Sequence, residues 1–195
     1  MISCRERNAV RRRTLENLAK TDWGDIPIHI HFDTPKDGNP CERQVQSSYV
    51  ALKKSLDYQA DYILFLEDDL DFNRHIRHNL RNWVPVTSGT AAVASLYNPK
   101  LREKACDLQT NTRMVEPHCV FGSQAFLLSK ETVEYVVRRW NDVPGGQDIK
   151  ISRLGGRLGK TIFYHAPSLV QHVGTRSTWG GGFHQALDFD PVWKA

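Results

Sequence analysis

The sequence predicts an α/β fold, a single domain whose mostly parallel central sheet is flanked by helices. Three observations lead there. Short β-prone runs alternate with stretches of helical periodicity through the first half of the chain. Residues 62–66, YILFL, form an apolar run long enough for one buried strand, and it ends abruptly in Glu67, Asp68 and Asp69. With 195 residues, 40% of them hydrophobic and 25% charged, the chain can bury a sizeable core, and these proportions argue against disorder.

In chain order, Ile2-Ser3-Cys4 reads as a very short first strand. Asn8 is suited to cap a helix with Val10, Leu15 and Leu18 inward and Arg11, Arg12 and Arg13 largely wet. Residues 26–33 alternate as a strand, with Ile28, Ile30 and Phe32 on the core face and His29 and His31 opposite; Asp33 ends it, before a turn-rich loop over 34–40. A helix over 42–58 carries Val45, Tyr49, Leu52 and Leu56 at helical spacing. The acid-tipped strand follows. Asn73 then caps a helix with Phe72, Ile76, Leu80 and Trp83 inward and Arg74, Arg77, His78 and Arg81 outward, closed by Pro85.

The second half is less regular. Residues 90–96 read as a strand, and 97–117 as a polar excursion. Residues 119–128 read as a strand interrupted by Gly122 and Ser123, small residues that mark a close approach to the backbone. Ser129 caps a helix with Val133, Val136, Val137 and Trp140 inward. A Pro/Gly loop delivers Gln147 and Asp148 to the start of another short helix, and 160–164 reads as a last strand. In the tail, the glycines after Trp179 suit a lid hinge, and Phe183, Leu187, Phe189 and Trp193 suit packing.

Composition narrows the function. The formal charge of +4 and pI near 8.9 permit a phosphate-bearing ligand or a polyanion without demanding either. Cys4, Cys41, Cys106 and Cys119 form no CxxC pair, so free thiols in a reducing compartment are expected rather than a zinc site. No apolar stretch reaches membrane-span length and residues 1–20 lack a signal-peptide core, so a cytoplasmic location is expected.

The chemistry concentrates in the acid triplet. Adjacent carboxylates repel, so a strand delivering three of them meets either solvent or a cation. Ligands of open α/β sheets bind beyond the carboxyl ends of the strands, and an all-oxygen set suits a hard ion such as Mg²⁺ or Mn²⁺. The plainer alternative is an acidic loop that caps the following helix.

The EDDL run at Glu67-Asp68-Asp69-Leu70, the SCRERNAVRRRTLENL stretch, Asp33 at a strand end, Asp148 late in the chain and the PSLVQHVG segment together resemble small glycosyltransferases of the GT-A fold. The acidic run is similar to the form in the N-acetylglucosaminyltransferase I family. That resemblance implies a Rossmann-like domain, with residues 1–97 binding a nucleotide sugar and 98–195 facing the acceptor and supplying a C-terminal lid. It implies a UDP-sugar donor, Mn²⁺ or Mg²⁺, and inverting transfer to a carbohydrate or other hydroxyl-bearing acceptor. Asp69, with Glu67 and His172, would serve the metal. Cys4, Arg5, Asp33, Asp68, Gly122, Ser123 and Arg176 would serve the donor, Asp33 reading uracil, Asp68 reaching the ribose and Arg176 the diphosphate. Asp148 would be the base, although it reads equally as an acid stabilised by a helix N-terminus.

Other readings stay open. A sugar-phosphate nucleotidyltransferase would want a glycine-rich loop after the first strand, and SCRERN has none. A basic nucleic-acid-binding module would use Arg11–Arg13 and Arg74–Arg81 but leaves the acids unexplained. A glycosyltransferase with a nucleic-acid acceptor, such as a modified DNA base, combines the two.

Overall fold

A computed structural model describes residues 1–33, 39–99, 110–174 and 184–195. The chain opens with β1 (Ile2–Ser3), a 3-10 turn (Arg5–Arg7) and helix α1 (Asn8–Leu18), then β2 (His31–Phe32) and α2 (Pro40–Ser55). The acid-tipped strand β3 (Tyr62–Leu66) leads into β4 (Leu70–Phe72), α3 (Ile76–Asn82), α4 (Val84–Thr87) and β5 (Val93–Ser95). The second half contributes β6 (Thr112–Val115), β7 (Ala125–Ser129), α5 (Lys130–Arg138), α6 (Gln147–Gly156), β8 (Ile162–His165) and β9 (Val170–His172).

The central sheet is mixed, not mostly parallel. Its order is β3-β7-β5-β8-β6, and β5–β8 is its one parallel pair among the described residues. Hydrophobic alternation carries no information on direction. β3, β5 and β8 run one way and β6 and β7 the other, so β7 lies between β3 and β5 antiparallel to both, a pairing that needs no parallel crossover. Two small pairs complete the architecture, β1–β2 parallel and β4–β9 antiparallel.

Strand alternation separates two apolar layers. Leu66, Ala94 and Leu127 face a cluster with Leu18, Leu70, Ile76, Leu80 and Trp83. Phe65, Val93, Phe126 and Leu128 face the other, with Leu52, Val133, Val136, Ile151 and Leu154. The sheet is thus covered on both sides, by α1, α3 and β4 on one and by α2, α5 and α6 on the other. Ser129 caps α5 as its position suggests, accepting from Thr132 N.

Several local expectations change. In α1 the buried residues are Thr14 and Leu18, while Val10 is exposed. Arg11 is not wet: it donates to Ser3 Oγ and Cys4 O and lies over the Phe32 ring. The strand expected over 26–33 pairs only at His31–Phe32, and Ile28 and Phe32 are exposed. Asn73 does not cap α3, because Leu70–Phe72 pairs with β9 and delays the helix to Ile76. Buried Asn73 instead holds the C-terminal segment, donating to the carbonyls of Asp190 and Trp193. In that segment Phe189 and Trp193 pack on the core, Leu187 is exposed, and Phe183 lies outside the described residues. Among the described residues no helix is long and apolar enough to cross a membrane.

Helix α6 lies close to the sheet because Gly155 has no side chain. A Cβ there would meet Val93 Cγ2 at 2.4 Å, and Val93 is fully buried. Ala in place of Gly gains about 1 kcal/mol of helix propensity, but overpacking a rigid β-branched neighbour costs about 1–3 kcal/mol. Gly155→Ala is therefore expected to lower stability on balance, by up to about 2 kcal/mol in urea denaturation, and an unchanged or raised midpoint would contradict this packing.

Candidate active site

Three pairings bring the site together. In the β3–β7 register Leu66 faces Ala125, and the next residue continues the ladder through Glu67 N to Gln124 O, so Ser123 lies beside the first acid. In the β4–β9 register Leu70 faces His172, which places the imidazole beside Asp69. On the other side, Thr14 of α1 accepts from Leu70 N at 2.9 Å and donates to Asp68 O at 2.7 Å. The turn carrying the acids is thus held by its backbone, with Val173 N donating to Asp69 O as well.

The carboxylates are then neutralised one by one. Arg7 Nε lies 2.9 Å from Asp68 Oδ1, and Arg7 Nη2 lies 2.6 Å from Asp69 Oδ2. Ser3 Oγ donates to Asp68 Oδ2 at 2.5 Å. His172 Nε2 lies 3.2 Å from Asp69 Oδ2. Burial opposes the charge on Asp69, but the His172 hydrogen bond and the Arg7 charge win and hold its carboxyl below the usual range. Asp69 acts back on His172, holding the imidazole above its ordinary value against the effect of burial. For Asp68 burial wins and the pKa is raised, with Ser3 and Arg7 limiting the rise.

Glu67 faces elsewhere. Its Oε1 accepts from Ser123 Oγ at 2.8 Å and from Gln147 Nε2 at 3.0 Å, and Ser48 in turn donates to Gln147 Oε1. Burial, then the charge of Asp69, pushes the Glu67 pKa up to about 7. Beyond His172, the His184 ring stacks at 5.0 Å and its Nδ1 lies 2.6 Å from the buried Tyr97 hydroxyl. Burial, with the charges of Asp69 and Glu67, pushes that phenol up.

Ser3, Arg7, the three acids, Ser123, Gln147, His172 and His184 line a cleft of about 570 Å³. Of the residues expected from sequence, Cys4, Asp33, Glu67, Asp68, Asp69, Gly122, Ser123, Asp148 and His172 all line it. Arg5 does not; it is exposed, and the 3-10 turn at Arg5–Arg7 presents Arg7 to the acids instead. Arg176 lies outside the described residues. Asp148 stands in the first turn of α6 and accepts from Gly122 N at 3.1 Å. Asp33 is 3.8 Å from Arg43 Nε. Sequence reading missed Arg7, Thr14, Gln147 and His184. Thr14 and Leu18 share a helix face four residues apart, a signal that was present; nothing local marked His184.

The expected trio of Asp69, Glu67 and His172 does not converge. Among the described residues no three His, Cys, Asp or Glu side chains are arranged to hold an ion, since Glu67 is engaged by Ser123 and Gln147. Asp69 and His172 alone fit one better. Asp69 Oδ1 is buried without a hydrogen-bond partner among the described residues. The backbone also comes close there, since a Cβ on Gly174 would lie 2.3 Å from Asp69 Oδ2 and 2.8 Å from His172 Nε2. Ions of the Mg²⁺ type are commonly held by one or two carboxylates, with substrate phosphates and water filling the remaining positions. Compared with known proteins, the chain matches no family model and no curated protein.

The raised Glu67 pKa has a stability consequence. Its neutral form is favoured in the fold, so this contribution is complete below the unfolded value of 4.5 and is lost as pH rises to about 7. Glu67→Gln keeps the acceptor for Ser123 and Gln147 without the charge. Its stability relative to wild type is expected to rise from about pH 5 to about pH 8 in urea titrations, and a difference independent of pH would contradict the assignment.

Proposed function

We propose that the chain is a glycosyltransferase of the GT-A type. It would move a sugar from a nucleoside diphosphate sugar, a UDP-sugar first among them, to an acceptor hydroxyl with inversion. The observation that carries this reading is the gathering, in one cleft, of the β3 carboxylates, His172 and Asp148. Its lining includes Cys4, Arg7, Asp33 and Arg43, polar groups suited to a nucleotide, and Gly122, Ser123, Gln147 and Asp148, suited to sugar and acceptor.

Asp148 would serve as the base. It would accept the proton of the acceptor hydroxyl while that oxygen bonds to the anomeric carbon and the bond to the diphosphate breaks. Its hydrogen bond from Gly122 N fixes the carboxylate's orientation. Asp69 and His172 would hold Mn²⁺ or Mg²⁺ beside the diphosphate. When bound, such an ion neutralises the charge that develops on the leaving group. Asp33 would meet the base of the nucleotide and Asp68 its ribose. Ser123 Oγ and the Glu67 carboxyl, which burial holds partly protonated near neutral pH, are groups able to meet sugar hydroxyls. The acceptor would be a carbohydrate or another hydroxyl-bearing molecule.

The reading is tested by nucleotide release from UDP-, GDP- and TDP-sugars with Mn²⁺ or EDTA. One donor is expected to be turned over, and EDTA to stop it. Asp69→Asn is expected to reduce release at least about 100-fold, while Asp148→Asn lowers transfer to an acceptor with little loss of donor binding. No release from any donor, together with no nucleotide binding in calorimetry, would overturn it.

A further inference from the structure

The acidic pair already has a cation, and it belongs to the chain. Arg7 bridges Asp68 and Asp69 through two different nitrogens, at 2.9 and 2.6 Å. The bridge is built rather than incidental. The 3-10 turn after β1 sets the direction of Arg7, and Ser3, just before that turn, donates to the same Asp68 carboxylate. Arg11 in turn donates to Ser3 Oγ and to Cys4 O, bracing the base of the turn. Both carboxylates are buried, with 6% and 5% of their side chains exposed, so each needs a counter-charge in any state of the site. Yet one oxygen, Asp69 Oδ1, stays unbonded among the described residues, on a carboxylate whose Oδ2 lies close to the backbone at Gly174.

We infer that Arg7 is an exchangeable counter-ion of the acidic pair, displaced from Asp69 when a divalent ion binds there. The inference rests on the metal-dependent reading above and adds to it a residue that sets ion affinity. Two cations cannot share the Asp69 carboxylate at contact distance without repelling one another. Arg7 therefore withdraws from Asp69 as an ion arrives and keeps its contact with Asp68. Ion binding carries the cost of breaking the Arg7–Asp69 pair, so the site stays weak for free ions. A diphosphate offsets that cost, because it supplies oxygens to the ion and an anion for the released guanidinium. Ion and nucleotide then bind cooperatively, each raising the affinity for the other by the same factor.

The experiment is calorimetric titration of the full chain with Mn²⁺, with and without UDP, on wild type, Arg7→Gln and Arg7→Lys. Arg7→Gln is expected to bind Mn²⁺ alone about tenfold or more tightly than wild type, and the stimulation of Mn²⁺ binding by UDP is expected to shrink by a similar factor. Arg7→Lys, which can reach one carboxylate at a time, is expected to fall between them and keeps the test open should Arg7→Gln fail to fold. Mn²⁺ affinity in both variants equal to or below that of wild type overturns the exchange while leaving the glycosyltransferase reading intact. Absence of Mn²⁺ binding in every protein, with and without UDP, overturns both.

Discussion

Three consecutive carboxylates at the end of a buried strand are an electrostatic problem, and much of the structure is its solution. Glu67, Asp68 and Asp69 cannot all stay charged in a low-dielectric setting without partners. Each is handled differently. Glu67 is held by Ser123 and Gln147 and shifts toward the neutral form. Asp68 is bound by Ser3 and Arg7, and Asp69 by Arg7 and His172. These partners come from β1, the turn after it, the loop before β7, the first turn of α6 and β9, so the compensation recruits elements from both halves of the chain.

The small pairs β1–β2 and β4–β9 serve two ends at once. Ile2 of the first and Leu70, Phe72 and Val170 of the second are buried in the core, and each pair also delivers a charged or polar side chain to a fixed point. β1 supplies Ser3 and leads into Arg7; β9 supplies His172 in register with Leu70. Thr14 performs a related service from α1, where its hydroxyl takes the backbone groups on either side of Asp69. A helix interior is an unfavourable place for threonine, and burial of its hydroxyl without two partners would cost more. Here both are present.

Much of this was legible in the sequence, and the failures have physical causes. The acid-tipped strand, the cap at Ser129 and the delivery of Asp148 by a Pro/Gly loop follow from local patterns, and the structure keeps all three. Strand direction was not legible, because apolar alternation is the same whichever way a strand runs. Nor was the choice between Arg5 and Arg7, which depends on how far one 3-10 turn rotates the backbone. Val10 and Ile28 were misplaced because short apolar spacings fit more than one face. Glu67 looked like a third metal ligand from its neighbours in sequence, but successive side chains around a strand end point to different sides.

The mixed order of the sheet also bears on how the molecule reaches its native state. The strand that carries the acids completes its ladder only with β7, some sixty residues further on, since Leu66 faces Ala125. β5 likewise waits for β7 on one flank and β8 on the other. A sheet threaded in this way has high contact order, and the entropy of closing such long loops is spent before the contacts reward it. During synthesis the β3 carboxylates therefore emerge well ahead of Ser123, Gln147 and His172, and in that interval water is the solvent that keeps them charged.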